Sequence, residues 1–104
     1  MTTPKLVRDF NSFLARWFPV DYNQYIHSPQ WKRRAEAAKE RALYQCQGCG
    51  RPQGIVTLSA HHRTYTRLGY EVPEDLTVLC MESCHPVITQ VRRRVYNIPI
   101  RLSR

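Results

Sequence analysis

The sequence has no apolar run near 20 residues, no signal-peptide pattern, no internal repeat and no low-complexity segment. The first two absences argue against a membrane span and a secreted protein, so the expected compartment is cytoplasmic, in a bacterium or a phage-infected cell. The third excludes a solenoid or propeller. The chain is also short of acidic groups: 8 Asp and Glu stand against 16 Lys and Arg, a formal net charge of +8. That balance favours a polyanionic partner, with a merely basic soluble protein as the plainer alternative. At 104 residues there is room for one domain with a limited core. A structural metal would be a useful staple.

What is present is concentrated in a few stretches. His61 and His62 lie between two cysteine pairs, Cys46 and Cys49 before them, Cys80 and Cys84 after. Thiols stay reduced in the cytosol, so the four cysteines read as metal ligands rather than two disulfides. Four thiolates in two pairs match a closed tetrahedral site, and soft sulfur favours zinc. The alternative is a mixed site in which His85 or one of the paired histidines joins the cysteines. Neighbouring residues on a strand point to opposite faces, so His61 and His62 should do different jobs. One can ligate a metal while the other accepts a proton from water.

The remaining chain frames these residues. Thr3-Pro4 predicts a helix start, and Leu6, Phe10, Phe13, Leu14 and Trp17 follow at helical spacing until Pro19. This stripe is expected to pack on the core, with a docking surface as the alternative. Residues 21–27 read as a connector, with His27 at the surface. Ser28-Pro29 starts a second helix, running to about Tyr44, with Trp31, Ala35, Ala38 and Ala42 as a narrow packing stripe. Its Lys32, Lys39, Arg34 and Arg41 face either phosphate or solvent. Ile55 to Ala60 predicts a strand, Arg63 to Asp75 a loop, and residues 76–79 a second strand. A last helix should run from Cys84 to about Tyr96, with Val87, Ile88, Val91 and Val95 inward.

Several of these motifs together resemble one family. They are Ser28-Pro29-x-Trp31-Lys32, Cys46-x-x-Cys49-Gly50, the run from His61-His62-x-Thr64-Tyr65 through Glu71, Asp75 and Leu76, and Leu79-Cys80 with Cys84-His85. This pattern, covering about Tyr25 to Ile88, is similar to the HNH endonucleases, which belong to the ββα-metal (His-Me) finger nucleases.

The resemblance implies an α+β fold: a short β-hairpin plus helix, stapled by the four-cysteine zinc, with added N-terminal helices. Residues 1–27 would be a helical extension packing on the core, 28–97 the nuclease core, and 98–104 a basic tail. His61 and His85 would hold a catalytic divalent ion, magnesium or manganese, with nickel or zinc as alternatives. His62 would activate water, and Asp75 would brace the loop that orients it. Arg63, Arg67, Arg92, Arg93 and Arg94 would hold phosphates of DNA. Cleavage would leave 5′-phosphate and 3′-hydroxyl ends. Small members of the family serve restriction, recombination, mobile elements and phage packaging, so a protein partner in a DNA-processing complex is also implied. The other class of reading is a zinc-stabilised DNA-binding module without turnover.

Two departures stand out. Many family members carry a further histidine one turn after the His85 position, where this chain has Thr89. The second cysteine pair has three intervening residues, so Met81-Glu82-Ser83 must loop outward.

Overall fold

Regular structure begins at Lys5. In the computed structural model, which describes the backbone of residues 2–96 and the side chains of residues 2–90, helix α1 spans Lys5–Trp17. Pro4 stands at its cap without a side-chain bond. Thr3 does not cap the helix as expected. It reaches Glu74 instead, its hydroxyl donating to Oε1 at 2.7 Å and its N–H to Oε2 at 3.1 Å. A carboxylate accepting two donors is the stronger partner.

The orientation of α1 also reverses the expectation. Leu6, Phe10, Phe13 and Trp17 are 81%, 58%, 52% and 61% exposed, and of the predicted stripe Leu14 alone is half-buried. The opposite, polar face is the one that docks. Asn11 Nδ2 donates to the Tyr70 carbonyl at 2.9 Å, and Arg67 donates to Ser12 Oγ at 3.1 Å. Tyr70 closes the contact by donating its hydroxyl to the Phe18 carbonyl. The surface under α1 is a loop carrying carbonyls and charges, so hydrogen bonds set which face turns inward.

The connector holds one turn of helix, α2 (Tyr22–Tyr25), capped by Asp21, whose carboxylate accepts from Gln24 N–H. Helix α3 spans Pro29–Arg41, with Ser28 Oγ accepting from Trp31 N–H as the sequence predicts. It ends short of Tyr44 because Leu43 and Tyr44 take positive φ angles of 57° and 53°. These turn the chain back on itself, so that Cys46 N–H meets the Arg51 carbonyl and Gln53 N–H meets that of Tyr44.

Strand β1 (Leu58–His62) pairs antiparallel with β2 (Leu76–Cys80), with His61 opposite Thr77 and His62 opposite Leu76. β1 starts three residues later than predicted and runs on through both histidines. Ile55 is left exposed in the turn before it, where Val56 N–H bonds to the Pro52 carbonyl. The strands are joined by residues 63–75, which finish in a 3₁₀ turn at Pro73–Asp75. In that segment Gly69 has φ +90°, and a Cβ there would meet Val20 at 2.9 Å, so glycine is needed twice over. Helix α4 (Cys84–Tyr96) follows β2 after one short turn.

The core is small. Ala38 of α3 packs with Cys46, Val56, Leu58, Leu76, Val78, Leu79 and Cys80, and Trp31, Ala42 and Cys84 lean on it. The small stripe of α3 therefore lies on the hairpin as its spacing predicts. Val87 and Ile88, both expected inward, are 57% and 38% exposed. The side chains of Val91 and Val95 lie outside the described residues. The fold is α+β, with one two-stranded antiparallel hairpin and four α-helices among the described residues. No helix among them is long and apolar enough to cross a membrane.

Candidate functional site

The four cysteines converge. Their Sγ atoms all lie within 4.8 Å of one another, and Cys49 and Cys80 are 3.8 Å apart. Tetrahedral zinc with bonds of about 2.3 Å needs sulfurs about 3.8 Å apart, so the cluster fits that ion. Backbone donors already point at the sulfurs. Cys46 Sγ accepts from the N–H groups of Gly48, Cys49 and Cys80, and Cys80 Sγ from that of Cys84. These bonds favour thiolates. Burial pushes Cys46 up, yet its backbone donors outweigh that and hold it below the ordinary thiol range. The Ser83 hydroxyl and the Cys84 N–H draw Cys80 down to about 5. Cys84, whose thiol hydrogen-bonds with the Cys46 sulfur and is partly desolvated, is pushed up to about 12. Four crowded sulfurs cannot all ionise unaided, and a divalent ion would remove that conflict.

The three-residue spacer is accommodated locally. Met81 N–H bonds to the Thr57 carbonyl at 2.8 Å, and the Glu82 carboxylate accepts from Thr57 N–H. These anchors fix the turn that delivers Cys84. Gly48 lies so close that a Cβ there would stand 2.9 Å from Cys84 Sγ. Arg51, not singled out in the sequence, donates to Cys49 Sγ at 3.2 Å, to Cys80 Sγ at 3.6 Å and to Ser83 Oγ at 2.6 Å. Its charge would offset the surplus negative charge of four thiolates around one dication. A cation two residues past a cysteine pair was the available signal.

The paired histidines part as strand alternation requires. His61 turns toward α4, where its ring meets that of His85 edge to face at 5.0 Å. A cavity of about 240 Å³ opens there, lined by His61, Arg63, Thr77, Leu79 and Ile88. Arg63 is exposed at this cavity. Thr89 does not extend the pair, because its hydroxyl donates to the His85 carbonyl at 3.0 Å. Among the described residues the four cysteines are the one group of three or more clustered candidate ligands, and it includes neither His61 nor His85.

His62 turns the other way, into the protein. It is 4% exposed and stacks between Trp31, at 4.7 Å, and Tyr65, at 4.8 Å. Its Nε2 lies 2.6 Å from Glu71 Oε2. Tyr25 donates its hydroxyl to Glu71 Oε1 at 2.6 Å, and Arg34 donates to that hydroxyl at 3.1 Å. Burial pushes Glu71 up, but the bonds from His62 and Tyr25 hold it below the ordinary carboxyl range. Tyr25 is pushed up by burial and by Glu71, so it remains a donor. Three elements thus converge on Glu71: α2 brings Tyr25, α3 brings Arg34, and β1 brings His62. Glu71 was visible only as part of a motif, and nothing in its local sequence names these partners.

Asp75 is 2% exposed. Its carbonyl accepts from Arg63 N–H at 2.7 Å, and its carboxylate accepts from Val72 N–H. Arg67 grips the same carboxylate with Nε and Nη2 and gives Nη1 to Ser12. Arg67, expected to hold phosphate, is engaged within the protein with Asp75 and Ser12. Arg92, Arg93 and Arg94 have side chains outside the described residues, as does the basic tail. His27 is exposed, bonded to the Asn23 carbonyl.

No protein-family model, curated protein or solved structure matches the chain.

Proposed function

We propose that the protein is a ββα-metal finger nuclease of the HNH type that hydrolyses phosphodiester bonds in DNA. The observation that carries this reading is the hairpin–helix unit, in which His61 of β1 faces His85 of α4 beside a cavity bordered by Arg63. His61 and His85 would hold a divalent ion, magnesium or manganese, with nickel or zinc as alternatives. Such an ion supplies Lewis-acid stabilisation of the charge that builds on the leaving oxygen. Two imidazoles would leave coordination positions open to water and phosphate, which would suit a hard cation.

The other tasks fall to the chain. Arg63 offers an exposed guanidinium to a phosphate at the cavity. His62 would be the group that takes the proton from the attacking water, although its ring lies on the face of β1 opposite that cavity, between Trp31 and Tyr65. The ionised Glu71 lies against Nε2 and would stabilise the imidazolium once formed. Asp75 and Arg67 fix the backbone next to the histidines. The zinc site is structural: it ties the Cys46–Cys49 turn to the end of β2 and the start of α4.

The enclosure of His62 favours a second reading. A ring 4% exposed between two aromatics also suits a core brace. The protein would then be a zinc-stabilised DNA-binding module or an accessory subunit of a DNA-processing machine.

Supercoiled-plasmid cleavage with magnesium, manganese or nickel separates the two. Wild type would be run beside His61→Ala, His62→Ala and Glu71→Gln, each checked for zinc content and circular dichroism. Nicking by wild type, lost in folded His61→Ala and His62→Ala proteins, is the result expected of a nuclease. DNA binding with no cleavage under any ion leaves the binding module.

A further inference from the structure

The α1 helix docks by its polar face and presents its apolar face outward. Leu6, Phe10, Phe13 and Trp17 form that face, and Arg16 lies 5.6 Å over the Trp17 ring at its edge. A helix of 13 residues is about 20 Å long, so the stripe is continuous over a length that another helix could cover.

We propose that this face pairs with the same face of a second copy of the chain, the two α1 helices running antiparallel. The spacing of the stripe supplies the first argument. Its steps are four, three and four residues, so it reads the same in both directions. A two-fold axis across its midpoint sets Phe10 against Phe13 of the second copy, and Leu6 against Trp17 of the second copy. That self-complementarity is what an isologous interface requires.

Charge supplies the second argument. Lys5, Asp9 and Arg16 fall within about 40° of one another around the helix, on one flank of the stripe. Antiparallel pairing brings like flanks together, so Asp9 meets Arg16 of the second copy, twice by symmetry. A parallel pair would set that charged flank against Val7 and Leu14 of the second copy. Asp9 now bonds Lys5 at 2.6 Å, but both side chains are well exposed and such pairs are readily exchanged. The polar face is occupied by Tyr70 and Arg67, so the stripe can be covered without undocking the helix.

One helix stripe per copy is smaller than the ~800 Å² per partner of a standard interface, so the dimer is weak and reversible. Sedimentation velocity on the zinc-loaded full chain, from micromolar to near-millimolar concentration, should show a monomer–dimer equilibrium. Phe10→Glu with Phe13→Glu should remain monomeric throughout, with unchanged circular dichroism, because both side chains are exposed. Asp9→Arg and Arg16→Asp should each weaken the dimer about tenfold, and the double swap should restore it. A wild-type monomer at every concentration overturns the proposal. So does a dimer that survives the double glutamate variant, or a double swap no better than the singles. A monomer that partitions onto anionic phospholipid vesicles through the same residues also overturns it, and assigns the face to lipid.

Discussion

The carboxylate of Glu71 lies 2.6 Å from His62 Nε2, and its other oxygen accepts the Tyr25 hydroxyl at 2.6 Å. One buried acid therefore orients an imidazole on one side and ties two helices to the hairpin on the other. Replacing it by Gln keeps the shape but removes the charge. Glu71→Gln should cost about 1–3 kcal/mol in urea denaturation at neutral pH. The folded carboxyl titrates below its ordinary value of 4.5, so its stabilisation is present above that value. It is lost as pH falls through the folded value, so the gap between wild type and Glu71→Gln should close in acid. A gap that stays constant down to acid unfolding would refute an ionised Glu71.

The same variant tests the link to catalysis. If Glu71 positions His62 as a base, Glu71→Gln should lower the nicking rate about 10- to 100-fold and shift its pH profile, with DNA affinity unchanged. An unchanged pH profile would leave Glu71 a purely structural group.

Arg67 and Arg63 should separate in a salt titration of DNA binding. Arg63 is exposed at the cavity, so Arg63→Ala should reduce the slope of log K against log salt by about 0.9. Arg67 is held by Asp75 and Ser12, so Arg67→Ala should leave the slope unchanged. It should instead cost about 3 kcal/mol of stability, because the buried Asp75 charge loses its partner. The reverse pattern would make Arg67 the phosphate contact.

One zinc per chain should be found by elemental analysis of protein purified without chelator. Chelation or Cys80→Ser should unfold the hairpin region, seen as loss of cooperative thermal melting, because the core beneath is small. Protons compete with zinc for thiolate, so acid should release the metal. Gly48→Ala should weaken zinc retention, since its Cβ would stand 2.9 Å from Cys84 Sγ. A metal-free chain with an unchanged melt would remove zinc from the account.

The features legible in the sequence are those set by short-range geometry. Ser28 caps α3 because a hydroxyl before Pro reaches the Trp31 N–H whatever lies elsewhere. His61 and His62 diverge because a strand alternates. The cysteine cluster follows from two close pairs carried by one turn and one strand–helix junction. The ends of the elements were less legible. Tyr44 leaves α3 because the chain must turn back toward Arg51 and Gln53, a demand made by the fold around it.

By itself the sequence determined the α+β elements, the antiparallel hairpin and the four-sulfur cluster, since periodicity, caps and ligand spacing act over a few residues. Tertiary structure alone decided which way the amphipathic α1 faces. Periodicity defines an apolar face but not the surface that meets it, and here a polar loop meets the other face. It also decided the partners of Glu71 and the reach of Arg67 to Ser12 of α1. Each lies in a segment whose local pattern names no partner, and only the convergence of distant elements brings its hydrogen bonds within reach.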